Sequence, residues 1–278
     1  MVVVFGNDTT QASVVMLECL FFTYFVRLEG KDLLSIENSN YSNKSIMGRE
    51  IQFRDLGLSD YQSIWDLQHD LFQKTIDVKI HNRRSQTNLP TSSHFLLVEH
   101  FPVITLGKSG KMDHLLLNKK DLEEEGISFY KIDRGGDVTY HGPGQIVGYP
   151  ILDLDQFFTD IHKYLRLLEQ VIISTLMDFE ITATRSKGET GVWIDVGTPF
   201  ARKICAMGIR ASRWVTMHGF SLNVNTDLKP FDHIIPCGIQ GKGVTSMAKE
   251  LSQEVDIEEV KERIKHHFQD LFDSQFVY

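Results

Sequence analysis

The chain has 278 residues, 42% of them hydrophobic and 24% charged, with a formal net charge of −8. That length suits one large domain or two modest ones with an ordinary core, and the acidic balance argues against nonspecific nucleic-acid binding, which wants a basic face. Three scattered cysteines, Cys19, Cys205 and Cys237, exclude a disulfide framework or a zinc knuckle, call for no metal, and fit a reducing cytoplasm.

The apolar run from Val14 to Val26 is interrupted by Glu18 and is too short and too charged for a membrane span. No Lys or Arg precedes it and no small-residue cleavage site follows, so it does not read as a secretory signal; Asp8 and Glu18 ahead of the first arginine argue against a transit peptide. Residues 35–46 are rich in Ser and Asn, like a linker. The expectation is an N-terminal extension or a mis-assigned start over 1–46 and a functional domain over 47–278.

Residues 58–75 carry Tyr61, Ile64, Leu67 and Leu71 at helical spacing. His94 to His100 reads as a buried strand, Val103-Ile104-Thr105 as a second after Pro102, and Ser128 to Ile132 as a third. Ile146 to Leu152 is a further strand, and Asp155 to Phe179 a helix with Ile161, Leu165, Leu168, Ile172 and Leu176 on one stripe. Short strands follow at 192–194, 204–209 and 220–224, then a helix over 257–271 with acidic residues at its dipole-favoured start. This order has neither strict β–α alternation nor a repeat. It predicts an α+β fold with one mixed, mainly antiparallel sheet and packed helices. No second domain boundary is visible, although the last sixty or so residues have the makings of a small subdomain.

Between the strands at 128–132 and 146–152 lies Arg-Gly-Gly-Asp-Val-Thr-Tyr-His-Gly-Pro-Gly-Gln, residues 134–145. Its glycines and proline rule out a helix, and it reads as too polar for core. Glycine lets a backbone approach a ligand closely; two tight surface turns would leave Arg134, Thr139, Tyr140, His141 and Gln145 unexplained.

Three further clusters carry chemistry. In Ala201-Arg202-Lys203-Ile204-Cys205-Ala206-Met207-Gly208-Ile209, strand alternation puts Lys203, Cys205 and Met207 on one face and Ile204, Ala206 and Gly208 on the other. Lys203 is either an edge residue with its ammonium in water or a lysine aimed into a pocket where desolvation favours a base; both readings stay open. In His218-Gly219-Phe220-Ser221-Leu222-Asn223-Val224-Asn225, Gly219 again permits close approach. Cys237 stands on a Pro-Cys-Gly bend. Most lone cysteines are small buried hydrophobes, but this setting makes Cys237 a candidate nucleophile. An ordinary thiol is mostly protonated at neutral pH, so it needs a partner: Lys203, His141 or His218.

These four motifs, with Leu97-Val98-Glu99-His100, Pro102-Val103 and Gly107 upstream, resemble those of the lipoyl(octanoyl) transferases, the lipoate–protein ligase B family, over residues 50 to 250 or so. The resemblance implies a fold similar to the catalytic domain of biotin and lipoate protein ligases. It implies transfer of an octanoyl or lipoyl group from octanoyl-acyl carrier protein to a lysine of lipoyl domains, such as the glycine-cleavage H protein and 2-oxoacid dehydrogenase E2 subunits. It places the catalytic cysteine at Cys237 and its lysine at Lys203, with acyl-binding residues at Arg134, Gly135, Gly136, Asp137, Val138, Thr139, Tyr140 and His141, at Ala206, Met207 and Gly208, and at Gly219, Phe220 and Ser221. Asp137 also has a solvent-facing reading, and Cys205 stands where the family usually has a small residue, which makes it a rival thiol. The Pro-Cys-Gly bend favours Cys237.

Thioester-to-amide transfer is downhill, so no cofactor is called for, in keeping with the lack of a Gly-x-x-x-x-Gly-Lys-Ser/Thr loop. Neither a nucleic acid nor a membrane is an expected partner. An ATP-dependent lipoate or biotin protein ligase is the alternative enzyme, and a nonenzymatic acyl-chain adaptor the alternative of another class.

Overall fold

The computed structural model describes residues 49–235 and 243–278. Its main sheet opens with a strand that the sequence does not announce, β1 (Arg49–Ser59), whose irregular burial hides the two-residue period. Helix α1 (Tyr61–Ser85) follows. It starts where the Asp60 carboxylate accepts from the Ser63 N–H at 3.0 Å, three residues later than the spacing predicts, because Leu58 and Ser59 still belong to β1. Strands β2 (His94–His100) and β3 (Val103–Leu106) lie where expected. A six-residue helix α2 (Lys119–Glu124) precedes β4 (Ser128–Lys131). Strand β5 (Val138–His141) forms inside the glycine-rich run, and β6 (Gln145–Ile151) leaves it.

Helix α3 spans Ile161–Asp178, not 155–179. Leu154–Gln156 form a separate 3₁₀ turn, and the helix begins where the Asp160 side chain accepts from the Lys163 N–H. The chain continues through β7 (Thr184–Ser186), β8 (Glu189–Ile194), β9 (Arg202–Ser212), β10 (Val215–Asn223), β11 (Gly243–Val244), α4 (Met247–Leu251), α5 (Ile257–Phe272) and β12 (Ser274–Val277).

Strand order in the main sheet is β12-β1-β2-β6-β10-β9-β8-β7, with β11 also paired to β9. The β1–β12, β1–β2 and β9–β11 ladders are parallel; β2–β6, β6–β10, β10–β9, β9–β8 and β8–β7 are antiparallel. The expected mixed, mainly antiparallel α+β fold is therefore what forms. The C-terminal residues are no subdomain: β12 extends this sheet, and α5 packs through Phe268 and Phe272 into the same core as α3.

Each face of the sheet has its own core. One is filled by α3 and α5 against Phe95, Leu97, Phe220 and Leu222; the other by Ile64, Leu71, Phe72 and Ile76 of α1 against Leu96, Val98, Val147 and Tyr149. A small second sheet, β4-β3-β5, carries the end of the glycine-rich run. No helix among the described residues is long and apolar enough to cross a membrane.

Candidate functional site

The small sheet and the main sheet enclose a cavity of about 400 Å³. Its floor is the α1-side face of β6, β10 and β9. Register places Gln145 beside Asn223 at one end, then Val147, Ser221 and Ala206 abreast, then Tyr149 with Gly219 and Gly208 at the other end. Apart from Val147 and Tyr149, the central floor is alanine, serine and glycine. The absence of bulk there is what makes room for a ligand.

Lys203 stands at the Gln145–Asn223 end and lines the cavity. A bulge puts it there. Along β8 and β9, Val192 pairs with Cys205 but Trp193 pairs with Lys203, so Ile204 is an extra residue in β9. The extra residue reverses the alternation, as a one-residue slip does in any strand. Lys203 therefore shares its face with Ala206 and Gly208, while Cys205 turns into the α3-side core at 0% exposure. The expectation that Lys203, Cys205 and Met207 share a face is overturned. Burial also pushes the Cys205 thiol well above its ordinary pKa, a setting in which it stays protonated and inert.

The bulge is held by its surroundings. Gly191 of β8 has φ +112°, and a Cβ there would lie 2.5 Å from the Cys205 carbonyl oxygen. Its N–H donates to Glu169, a buried carboxylate of α3 that also accepts from Arg166 and Arg185. The Lys203 Nζ lies 4.6 Å from the Trp193 ring centroid, a cation–π arrangement.

The glycine-rich run forms the roof. Arg134, Gly135, Gly136, Asp137, Val138, Thr139 and His141 all line the cavity. Against the expectation of a polar segment outside the core, Arg134, Asp137, Tyr140, His141 and Gln145 are buried. Arg134, Asp137, His141 and Gln145 are polar yet buried because each is paired. Arg134 donates to the Thr105 carbonyl and hydroxyl, both at 2.9 Å. His141 Nδ1 donates to Gln145 Oε1 at 2.7 Å, and Gln145 Nε2 donates to Asn223 Oδ1 at 2.8 Å. Burial drives the His141 pKa down to about 3, so the ring is neutral. Asp137 does not face solvent: it accepts from His114 Nδ1 at 2.5 Å and from the Val138 N–H at 2.7 Å. Tyr140 points the other way, into a satellite cluster with Ile104 and Leu106, edge-on to Phe231.

Roof and floor meet at Gly208. The Gly135 N–H donates to the Ile209 carbonyl at 2.8 Å, and a Cβ on Gly208 would lie 2.6 Å from the Gly135 carbonyl oxygen. Beyond that meeting point the cavity is walled by side chains the sequence reading did not single out. Tyr149 bonds to His100 Nε2 at 2.8 Å, His100 Nδ1 to the Ser59 carbonyl at 3.2 Å, and Tyr61 stacks on His141. The carbonyl can only accept, so His100 donates from Nδ1 and its Nε2 accepts a hydrogen bond from the Tyr149 hydroxyl. Burial lowers the His100 pKa to about 4. Only the alternation of β6, once registered on β10, reveals Tyr149 as a lining residue.

His218 lines the same end and has φ +58°; its N–H donates to the buried Gln68 of α1. Burial favours its neutral ring, which donates from Nε2 to Asp133. Burial alone would raise the Asp133 pKa, but His218 and Arg210 outweigh it and hold the carboxyl at about 2. Strand register separates His218 from Lys203 by six residues of β9, so these two cannot act on one atom.

Of the expected site residues, Lys203, Ala206, Met207, Gly208, Gly219, Phe220 and Ser221 all line the cavity with the roof. Cys237 lies outside the described residues. The described chain stops at Ile235, whose N–H donates to the His114 carbonyl, and resumes at Gly243, where β11 pairs with Arg202 and Lys203. Among the described residues no group of side chains is arranged to hold a metal ion.

Residues 60–269 match the family described as the lipoyl protein ligase A/B catalytic domain. The chain is 62% identical over 233 residues to the octanoyltransferase of Christiangramia forsetii, covering 84% of this chain and 100% of that one. It is 65% identical over 232 residues to the octanoyltransferase of Flavobacterium psychrophilum, covering 83% and 100%. Among solved structures, a bipartite lipoate protein ligase from Thermoplasma acidophilum superposes with a TM-score of 0.58 at 15% identity, over 84% of this chain and 88% of that one. A lipoate-protein ligase A bound with ATP gives 0.57 at 14% identity, over 84% and 90%. At such identity these two speak for the fold.

Proposed function

The chain belongs to the lipoyl protein ligase A/B catalytic family and is an acyltransferase of the octanoyltransferase kind, and we propose that it moves an octanoyl or lipoyl group from octanoyl-acyl carrier protein to a lipoyl-domain lysine through a thioester on Cys237. The observation that carries the reading is Lys203, turned by the β9 bulge into a cavity floored by small residues and roofed by the glycine-rich run. The rival thiol, Cys205, is sealed in the core. The described chain resumes at Gly243, six residues after Cys237 in sequence, with β11 paired to Arg202 and Lys203.

The chemistry balances without a cofactor. Lys203 favours the Cys237 thiolate, which attacks the carrier's thioester carbonyl; the carrier C–S bond breaks and the carrier thiol leaves with a proton. The acceptor lysine, as free amine, then attacks the acyl-cysteine. An amide forms, the second C–S bond breaks, and the amine's proton passes by way of Lys203 to solvent while the thiolate is regenerated. We place this work in a catalytic domain over 47–278 in the cytoplasm, with H protein and E2 lipoyl domains as acceptors. In support of that boundary, 233 residues of this chain match the whole C. forsetii enzyme.

The test is incubation with octanoyl-acyl carrier protein without ATP, followed by intact mass and peptide mapping. The expected result is one octanoyl group on Cys237, absent from Cys237→Ala. An adduct that persists in Cys237→Ser, or a requirement for ATP, overturns the reading in favour of another nucleophile or a ligase.

A further inference from the structure

We propose that the Tyr149 end of the cavity, with His141 and Arg134 beside it, is the gauge that sets acyl-chain length. The proposal rests on the acyl-transfer reading above. From Asn223, level with the Lys203 end of the floor, to Gly219, level with Tyr149, is four residues of β10, or about 14 Å at roughly 3.4 Å per residue. An extended octanoyl group has seven carbon–carbon bonds of about 1.5 Å and, foreshortened by its zigzag, spans roughly 9 Å from carbonyl to methyl. Its methyl then needs about 4 Å to meet the ring of Tyr149 in van der Waals contact. The chain fills the channel, and two more methylenes have nowhere to go.

The wall does not give way, because its parts are fixed by hydrogen bonds rather than by loose packing. Tyr149 is tied to His100, and His100 to the Ser59 carbonyl. Arg134 is anchored twice on Thr105. The Gly135 carbonyl closes down on Gly208 with no room for a Cβ. A longer chain would have to break these buried bonds and leave polar groups unpaired against hydrocarbon. The middle of the floor offers no such stop, being Ser221 and Ala206 beside Val147.

The experiment measures kcat/KM for hexanoyl-, octanoyl-, decanoyl- and dodecanoyl-acyl carrier protein with the full chain. The natural sequence should use decanoyl at least about tenfold less well than octanoyl. Tyr149→Leu, which shortens the wall, should raise the decanoyl-to-octanoyl ratio about tenfold or more. Tyr149→Phe, which keeps the ring but cuts its tie to His100, should raise the ratio less than Tyr149→Leu does. Val147→Leu, which adds bulk one step nearer Lys203, should raise the hexanoyl-to-octanoyl ratio. A folded Tyr149→Leu with the natural ratio overturns the proposal. So does a natural enzyme that takes dodecanoyl as readily as octanoyl, and this arm decides even if the variants do not fold. Transfer with an unmoved ratio sinks the gauge alone; no transfer from any carrier sinks the acyl-transfer reading itself.

Discussion

The floor and the roof of the cavity solve opposite problems. The floor, on the main sheet, contributes mostly by what it lacks: Ser221, Ala206, Gly208 and Gly219 leave the surface low. The roof contributes what it holds, with Arg134, Asp137 and His141 buried and each fixed by hydrogen bonds. Space must come from the sheet, whose backbone is already satisfied by its ladders and loses nothing when side chains shrink. Polarity must come from the run, whose irregular backbone leaves side chains to complete the pairing. Lys203 is the exception, a charged group on the floor, and a bulge puts it there.

Removing that exception should have the largest effect. Lys203→Ala is expected to lower kcat/KM for octanoyl transfer by about 10²–10⁴, the range of a lost acid–base group. Lys203→Arg should not restore it, since guanidinium does not give up its proton. Near-natural activity in Lys203→Ala would make the bulge a packing accident.

Acid should then act on the cavity wall, through His141 in the roof and His100 behind Tyr149. His100 and His141 have folded pKa values of about 4 and about 3, lowered by burial from 6.5. Each therefore adds stability that is full above 6.5 and is lost as pH falls towards its folded value, because the unfolded chain takes up the proton and the folded chain does not. The loss is up to about 1.4 kcal/mol per pH unit for each histidine. Asp133, held at about 2 against an ordinary 3.8, keeps its contribution through this window. Urea unfolding at pH 7 and pH 5 should differ by a few kcal/mol. A flat profile would mean that these rings are not sealed from water.

The joint between roof and floor comes next. Gly208→Val places a Cβ where the Gly135 carbonyl stands. It should cost about 1–3 kcal/mol of stability, as overpacking does, and reduce transfer by displacing the run. Stability and activity both at natural levels would mean that the run moves aside without consequence.

These effects also mark what the sequence could tell. The long apolar stripes of α1, α3 and α5 and the strand β2 were legible because each hides a continuous face. Most of the cavity's lining was legible only through the family resemblance; the residues themselves told of close backbone approach at the glycines of the 134–145 run and at Gly219. The face of Cys205 was not, because a bulge depends on the partner strand: Gly191 and Trp193 set it from β8, twelve and more residues away in the chain. Nor were Tyr149, His100 and Tyr61, since three segments about forty residues apart meet only after β1, β2 and β6 are in register. Strand β1 was missed because its burial follows no regular alternation.

The smallest expected effect lies where the roof is joined to Ile235. His114 bonds to Asp137 in the roof through its ring and to Ile235 through its carbonyl. It thereby ties the cavity wall to the residue two positions before Cys237, the proposed nucleophile. His114→Gln keeps the backbone bond and substitutes a looser side-chain donor, so the fold should hold within about 1 kcal/mol, one neutral hydrogen bond's worth. Acylation of Cys237 should slow severalfold at unchanged KM, because misplacement of a reacting group by a fraction of an ångström acts on the chemical step before it acts on binding. Single-turnover acylation separates the two. A rise in KM with unchanged acylation would make His114 part of the binding wall, and no change in either would leave the wall and the segment after Ile235 mechanically independent.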